Sequence, residues 1–410
     1  MDELAINGGP KAKPTPYTTA NRYGDEELQQ LREAIEAGRL MGPAGKVLEF
    51  EEAVAEAFGA RHVVMVTSGT AALHTALAGL GVSEGDEVIT TTVTDIGTVA
   101  AILALHAVPV FADIDLETTL LSAQSARELI TDRTRVIIAV HMAGLPCPMD
   151  EMMALGEETG VKILEDCAQA HGGKYRGRYV GTIGHAAGFS MNESKQMSTG
   201  DGGFVMTDDD TTAGIATLFH DKTYIRDGSV GYGDQPIPFA ALNYRPSCLQ
   251  AAVGLAQLHK LPALVARRDA HARRYYEELG DLPHLHLPQI VEGGEPSWWP
   301  VPARYSGSEP DVAQIRQALG AEGLSIGNRM GPAGNILRTD LIRSKRYYAL
   351  TETVPAFWRD AVYDEASCPN ADTLQANVMR LPVDQRYSDE DITQTIAGIR
   401  KVWAHYFGTP

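Results

Sequence analysis

Hydrophobic residues follow two spacings along the first 265 residues of the chain. Short runs rich in β-branched residues predict buried strands, and longer runs with helical periodicity predict helices. The predicted strands are 62–66, 87–92, 108–112, 135–141 and 161–165. The predicted helices between them are 70–80, 96–107 and 149–158. This alternation predicts βαβ units and a mostly parallel sheet that is buried on both faces.

Other segments complete the predicted organisation. Runs 186–190 and 203–207 follow without a long helix between them, so the sheet is open to antiparallel members. Further helices are predicted at 24–38, 47–58, 247–259, 311–321 and 389–403. The helix that starts at residue 247 is expected to be interrupted or kinked at Pro262 and to continue over 264–279. We therefore predict an N-terminal arm (1–22), a large α/β domain (23–265) and a smaller α+β domain (266–410).

The composition indicates a folded protein with an acidic surface. Of the 410 residues, 44% are hydrophobic and 21% are charged, which rules out intrinsic disorder. The net charge of −18 argues against nucleic acid and against an anionic membrane as partners, unless a local basic patch overcomes it. The one locally basic stretch runs from Arg329 to Arg346.

Cysteine usage and apolar segments predict a cytoplasmic protein. The four cysteines (Cys147, Cys167, Cys248 and Cys368) are far apart, which argues against a disulfide framework or a zinc site. We therefore expect a reducing compartment and no metal. The N-terminus is acidic and lacks the apolar segment of a signal peptide. The longest apolar stretch, 99–112, is too short to span a bilayer.

Three motifs carry candidate chemistry, and the first combines a strand end with a helix start. Ser68, Gly69 and Thr70 follow the strand 62–66 and open the helix 70–80. Free backbone N–H groups, a glycine that permits close approach and two hydroxyls together form a cradle for a phosphate group. An ordinary N-cap, in which a hydroxyl satisfies the first backbone donors of the helix, explains the same residues.

The second motif follows the strand 161–165. Asp166 lies at the carboxyl end of this buried strand, where open α/β sheets bind ligands, and it could pair there with a protonated ring nitrogen. A turn or capping aspartate is the alternative. His171 follows five residues later, and an isolated histidine of this kind is more often structural than catalytic.

The third motif places a lysine between a short apolar strand and a glycine-rich turn. Lys195 follows the strand 186–190 and precedes Gly200, Gly202 and Gly203. An amine in a confined pocket forms Schiff bases when desolvation lowers its pKa. A surface lysine is the alternative for Lys195 taken alone. Together, however, a phosphate cradle, a strand-end carboxylate and a loop lysine are what pyridoxal 5′-phosphate (PLP) requires.

The three motifs belong to a longer pattern that resembles a known enzyme family. The recognisable segments between Leu28 and Arg268 are SGTAALHTAL, PVFADID, EDCAQAHGGKYRGRYVG, FSMNESKQMSTGDGG and LNYRPSCLQAAVGLAQL. On these segments the chain resembles the DegT/StrS family of sugar and cyclitol aminotransferases, which are PLP enzymes of fold type I. The resemblance weakens after residue 280. It implies an α/β fold with a mostly parallel sheet and a smaller α+β domain after it.

The resemblance also implies roles for individual residues. Lys195 matches the lysine that binds the cofactor aldehyde and moves the substrate proton, and Asp166 matches the partner of the pyridine nitrogen. Gln169 matches a residue near the 3-oxygen of the ring. Asn243 matches an asparagine that reaches the phosphate from the neighbouring subunit, which implies a homodimer with shared active sites. The residues expected to bind the phosphate are Ser68, Gly69, Thr70 and Ser190.

Two positions depart from the pattern of the family. Asp95 stands where most relatives carry an aromatic residue that stacks on the cofactor ring. This aspartate could contact the cofactor or the substrate, or it could cap the helix 96–107, which is the simpler interpretation. His185 stands where many relatives have an aspartate in a Gly-Asp pair.

Candidate substrate residues are His171 and Arg329. Arg329 opens the basic stretch that continues with Arg338, Arg343 and Arg346. This stretch either binds a carboxylate or a phosphorylated substrate, or is a solvated loop and helix.

The resemblance implies a ping-pong transamination between two small molecules. L-glutamine or L-glutamate converts the cofactor to pyridoxamine 5′-phosphate (PMP), and the ketone of a cyclitol or sugar then receives the amine. Segment 4–10 resembles the arm of cyclitol-modifying relatives, which places a cyclitol slightly ahead of a nucleotide-linked ketosugar. A PMP-dependent sugar dehydratase is a rival, but dehydrating relatives have lost the lysine that Lys195 matches. A non-catalytic regulator on the same fold would not require Lys195, Asp166 and Ser190.

Overall fold

The computed structural model describes residues 3–408, and its strands form three sheets. In chain order the strands are β1 (His62–Val66), β2 (Glu87–Thr91), β3 (Val108–Ala112), β4 (Thr134–Val140), β5 (Lys162–Asp166), β6 (Lys174–Tyr175), β7 (Arg178–Tyr179), β8 (Ala186–Ser190), β9 (Gly203–Thr207), β10 (Leu285–His286), β11 (Gly294–Glu295), β12 (Val301–Tyr305) and β13 (Val378–Leu381). Seven of them form the central sheet in the order β1-β9-β8-β5-β4-β2-β3. Its neighbouring strands are parallel except for β9, which is antiparallel to both β1 and β8. The predicted α/β fold with a mostly parallel sheet is confirmed.

A row of isoleucines crosses the middle of this sheet. Ile89 in β2 pairs in register with Ile137 in β4, which pairs with Ile163 in β5, and all three are completely buried. β-branched side chains pack well on a pleated surface that is covered on both faces. Because parallel strands in register end at the same edge, this packing brings the loops after β4, β5 and β8 together.

Helices cover both faces of the central sheet and build the rest of the chain. They are α1 (Asp25–Glu36), α2 (Lys46–Phe58), α3 (Gly69–Gly79), α4 (Ile96–Ala104), α5 (Ala123–Glu128), α6 (Met149–Thr159), α7 (Asp210–His220), α8 (Cys248–Leu279), α9 (Val312–Ala321), α10 (Asp340–Ser344), α11 (Ala356–Arg359), α12 (Pro369–Asn377) and α13 (Asp389–Phe407). Helix α4 ends three residues earlier than predicted, because His106 adopts a left-handed backbone conformation with φ 57°. Within residues 3–408, no helix is both long enough and apolar enough to cross a bilayer.

Of the two alternatives that the sequence predicts at Pro262, the interruption is wrong, and the kink stays a prediction. Helix α8 runs through this proline as one helix of 32 residues. Both parts of α8 are held by tertiary contacts: Gln257 donates to Glu27 of α1 at 2.8 Å, and Arg274 donates to the Asp389 carbonyl of α13 at 3.2 Å. These contacts offset the one backbone hydrogen bond that a proline removes.

The chain after α8 adds two small sheets. Strands β10, β12 and β13 form an antiparallel sheet, and β11 extends the β6–β7 hairpin, which comes from the part of the chain before α8. Residues after α8 therefore contact the region of the central sheet as well as their own sheet. The division into domains at residue 265 stays a prediction, since α8 continues across it.

The N-terminal arm is tied to the last helix and reaches the loop that contains Lys195. The Lys13 ammonium lies 2.5 Å from a carboxylate oxygen of Asp391, and both side chains are buried. Thr18 donates to the other Asp391 oxygen at 2.6 Å. Arg22, at the end of the arm, donates to the backbone carbonyl of Lys195 at 2.7 Å. The arm thus links the C-terminal helix to the candidate site.

Candidate active site

A cavity of about 500 Å³ lies at the edge of the central sheet where β4, β5 and β8 end. Ligands bind at this edge of open α/β sheets because the loops after the parallel strands converge there. Eight of the predicted site residues line the cavity, namely Ser68, Gly69, Thr70, Asp95, Asp166, Gln169, Ser190 and Lys195. The structure therefore brings together the three motifs that lie far apart in the sequence.

The first motif forms a cradle between α3 and β8. Ser68 is the N-cap of α3, and its Oγ accepts a hydrogen bond from the backbone N–H of Ala71 at 3.1 Å. Gly69 lies so close to Ser190 that a Cβ on this glycine would be 2.5 Å from the Ser190 Cβ. The first turn of α3 and the hydroxyls of Thr70 and Ser190 thus line a space that suits a phosphate group. The Ser68 cap and this space are therefore present in the same turn, and phosphate binding stays a prediction.

Asp166 ends β5 with its carboxylate almost completely buried in the cavity wall. The Thr98 hydroxyl donates to its Oδ2 at 2.8 Å, and the Ala168 N–H donates to its Oδ1 at 3.1 Å. Burial raises the pKa of Asp166, and these two hydrogen bonds and the charge of Lys195 oppose that rise. A buried carboxylate of this kind is stabilised by a cationic group in the cavity.

A hydrogen-bond network on the other side of β5 fixes the end of this strand. The Glu165 carboxylate is fully buried and accepts a hydrogen bond from His141 Nε2 at 3.0 Å. Nδ1 of His141 accepts from the Cys147 N–H at 2.9 Å, so Nε2 carries the proton that is donated to Glu165. Cys167 completes a set of three potential metal ligands, but hydrogen bonds already occupy both Glu165 oxygens. The other donors to Glu165 are the N–H groups of Gly181, Ile183 and Gly184.

Lys195 lies in the loop after β8, with its amine inside the cavity. Burial lowers the pKa of Lys195, whereas the carboxylates of Asp166 and Asp95 favour its charged form. Its Nζ lies 4.4 Å from the centre of the Trp299 indole ring. Because a lysine with a lowered pKa reacts more readily as a nucleophile, this environment suits covalent chemistry with an aldehyde.

The two departures from the family pattern have structural explanations. Asp95 is the N-cap of α4, and its Oδ1 accepts from the Gly97 N–H at 2.8 Å, so the capping prediction is confirmed. The same side chain also lines the cavity. His185 lies away from the cavity wall, where its Nδ1 accepts from the Ile163 N–H at 3.0 Å and joins the start of β8 to β5.

Three predicted site residues do not line the cavity of a single chain. His171 is completely buried between Gln196, 3.3 Å from its Nδ1, and aromatic rings, and burial lowers its pKa to about 3. Asn243 lies in a separate surface depression. Arg329 is exposed on the loop after α9. The roles expected for these residues stay predictions.

Two arginines of the basic stretch form ion pairs on the surface. Arg338 forms an ion pair with Asp372 at 2.5 Å, and Arg343 forms one with Glu365 at 2.6 Å. Both arginines are about half exposed. These pairs support the alternative of a solvated loop and helix for this part of the stretch.

Trp299, Thr98 and His141 line the cavity but have no counterpart among the predicted site residues. Thr98 lies in the first turn of α4, the helix that follows the end of β2, so the rule that ligands bind at strand ends could have identified it. Trp299 comes from beyond α8, more than 100 residues after Lys195 in the sequence, and no local pattern indicates this contact.

A larger cavity, of about 660 Å³, lies between α8 and β11. Its walls are mainly apolar, with Leu261, Val265 and Tyr276 among them, and its Asp269 and Arg273 form an ion pair with each other. The lysine and the strand-end carboxylate of the smaller cavity are not among its described lining residues. The chemistry therefore belongs to the smaller cavity.

Comparisons with known proteins agree with this site. A sequence model of the DegT/DnrJ/EryC1/StrS aminotransferase family matches residues 21–330. The chain is 37% identical over 283 residues to a protein of Streptoalloteichus tenebrarius described as an L-glutamine:3-amino-2,3-dideoxy-scyllo-inosose aminotransferase, covering 68% of this chain and 67% of that protein. It is 35% identical over 268 residues to GDP-perosamine synthase of Escherichia coli O157:H7, covering 64% and 70%. A crystal structure of 3-amino-5-hydroxybenzoic acid synthase superposes with a TM-score of 0.82 at 30% identity, covering 96% of this chain and 100% of that one.

The fold and the site therefore define a PLP-dependent aminotransferase of fold type I. The chain belongs to the DegT/DnrJ/EryC1/StrS aminotransferase family. The cavity fits the cofactor, because it combines a buried amine, a buried carboxylate and a cradle that a single Cβ at Gly69 would fill.

A methyl group at Gly69 should weaken cofactor binding. In Gly69→Ala the new Cβ collides with Ser190, and relief of this overlap displaces the cradle at a cost of about 1–3 kcal/mol, or about 5- to 150-fold in PLP affinity. Equilibrium titration of the apoenzyme with PLP measures the loss. Gly214→Ala in α7 is the control, since its Cβ would contact nothing within 4 Å. Equal PLP affinity in the two folded variants would contradict the cradle.

Proposed function

We propose that this aminotransferase moves an amino group from L-glutamine or L-glutamate to the ketone of a cyclitol or sugar. The observation that carries the proposal is the convergence of the Lys195 amine and the Asp166 carboxylate in one buried cavity beside the Gly69–Ser190 cradle. When bound, PLP supplies an electron-accepting ring. In this proposal Lys195 binds the cofactor aldehyde and then moves the proton at the substrate Cα, while Asp166 keeps the ring nitrogen protonated.

The other wall residues hold the cofactor in this proposal. Gln169 Oε1 accepts from the Ala143 N–H at 2.8 Å, which leaves the amide N–H groups of Gln169 to donate to the 3-oxygen of the ring. Asp95 contributes a negative charge that favours the Lys195 ammonium. The phosphate is held by Ser68, Gly69, Thr70 and Ser190.

Arg329 is our candidate for binding a substrate carboxylate. The loop that carries it approaches the cavity, since a Cβ on Gly331 would lie 2.9 Å from the carbonyl oxygen of Thr94, which lines the cavity. A guanidinium binds a carboxylate through paired hydrogen bonds. For His171 we propose a packing role behind Gln196 instead of substrate contact, because the side chain is completely buried.

The charges of the cavity wall favour an uncharged acceptor. Its charged side chains within the described chain are Asp95, Asp166, Asp201 and Lys195, so three carboxylates surround one amine. A diphosphate would be repelled by such a wall. This supports a cyclitol ketone, as in the name of the Streptoalloteichus relative, over a nucleotide-linked ketosugar, as in the name of GDP-perosamine synthase.

Separate half-reactions test this proposal. L-glutamine and L-glutamate should convert the PLP spectrum to that of PMP faster than L-alanine does, and a cyclitol ketone should restore the PLP spectrum. Asp166→Ala should slow both half-reactions by on the order of 10²-fold, because one preorganised electrostatic partner is lost. The surface variant Asp281→Asn is the control. A preference for alanine would refute the donor, and faster return of PLP with a nucleotide sugar would reverse the order of acceptors.

We further propose that the functional unit is a homodimer with shared active sites. Leu28 and Ile35 of α1 are each about 60% exposed, an unusual exposure for large apolar side chains on one helix. Asn243 lies in a depression with Leu40 and Met41, which are also exposed. A symmetric contact through this surface would cover the apolar residues and carry Asn243 toward a neighbouring cavity.

Mixing two defective variants tests the shared site. Lys195→Ala lacks the amine and Asn243→Ala lacks the contact to the partner's phosphate, so neither homodimer should hold PLP at a limiting concentration. After random exchange of subunits, each heterodimer should contain one complete site out of its two. About a quarter of all sites in the mixture should therefore be complete. The visible absorbance band of bound PLP measures this recovery after subunit exchange. A monomer in sedimentation that is fully loaded with PLP would rule out the shared site.

A further inference from the structure

The indole ring of Trp299 lies beside the Lys195 amine. The Nζ atom lies 4.4 Å from the centre of the indole ring, within the range of a cation–π interaction. Trp299 Nε1 in turn donates to the backbone carbonyl of Ser194, the residue before the lysine, at 2.8 Å. One side chain from beyond α8 therefore contacts both the amine and the backbone of the lysine loop.

The backbone of Trp299 is fixed by hydrogen bonds from two other parts of the chain. Its N–H donates to the Ala143 carbonyl, in the loop after β4, at 2.7 Å. Its carbonyl accepts from Nη1 of Arg268 at 3.2 Å, and the Arg268 guanidinium is almost completely buried. Arg268 also donates to the carbonyl of Trp298 at 2.9 Å. The indole is therefore held in place by the fold independently of Lys195.

Lys195 has no short contact with a counter-ion. Within residues 3–408, the structure shows no hydrogen bond from its Nζ to an oxygen, and the amine is nearly buried. The carboxylates of Asp166 and Asp95 act on it over a longer range. The ionisable or charged groups around the lysine and its cavity are Asp95, Asp166, His141, His171, Asp201 and Arg22.

We propose that Trp299 is a positioning residue whose indole face holds the Lys195 ammonium whenever that nitrogen is not bonded to the cofactor. This inference rests on the proposed role of Lys195. Between the two half-reactions the lysine is a free amine on a flexible four-carbon stem. A desolvated cation–π contact would keep the amine inside the cavity, facing the site of proton transfer.

Two substitutions distinguish the effect of the aromatic ring on the Lys195 amine from the effect of side-chain volume. Trp299→Leu keeps an apolar side chain beside the amine but removes the ring, and Trp299→Phe keeps a smaller ring. With the enzyme converted to its PMP form, trace labelling with an amine-reactive anhydride at several pH values, followed by peptide mass analysis, gives the pKa of Lys195. We expect Trp299→Leu to lower this pKa by about one unit, because the ammonium loses its partner while staying buried, and Trp299→Phe to lower it by less.

A matched control and a clear contradiction complete the test. Trp298→Phe alters the neighbouring indole, whose Nε1 donates to Asp269 at 3.2 Å, and should leave the pKa of Lys195 unchanged. Equal pKa values for Lys195 in the wild type and both Trp299 variants, or a rise in Trp299→Leu, would overturn the inference. The proposed role of Lys195 fails separately, if Lys195→Ala still forms the visible band of bound PLP.

Discussion

The site depends on keeping an amine and a carboxylate buried in one cavity. Burial lowers the pKa of Lys195 and raises the pKa of Asp166, so it disfavours the charged form of each. Each charge partly cancels this effect on the other, since each group is among the causes that favour the charged form of its neighbour. This mutual support keeps a carboxylate available for a cationic ring nitrogen. Burial, in contrast, favours the neutral form of the amine, in which it can attack an aldehyde.

Hydrogen bonds fix the backbone segments that carry Asp166 and Lys195. Hydrogen bonds to Glu165 and Asp166 fix the end of β5. Four of the donors are backbone N–H groups, and the others are the Thr98 hydroxyl and His141 Nε2. The lysine loop is fixed by its backbone, since Arg22 donates to the Lys195 carbonyl. Gln196 adds a buried link, because its Nε2 donates to the Gln169 carbonyl at 2.6 Å. Contacts from the arm and from beyond α8 therefore converge on a loop of the central sheet.

The sequence predicts most of what depends on local patterns. The strands around Ile89, Ile137 and Ile163 follow from β-branched runs, and eight cavity residues follow from strand ends and from the family resemblance. Long-range packing decides the rest. α8 continues through Pro262 because α1 and α13 hold its two parts, and Trp299 reaches Lys195 through a backbone position set by Arg268. Such contacts join residues between 31 and 230 positions apart, so no local periodicity encodes them.

Covalent trapping of the cofactor tests the central claim most directly. Borohydride reduction of the purified enzyme, followed by peptide mapping, should place the pyridoxyl group on Lys195. The reason is that its amine alone among the lysines lines the described cavity at the end of the central sheet. A pyridoxyl group on any other lysine, or on none, would contradict this account of the site.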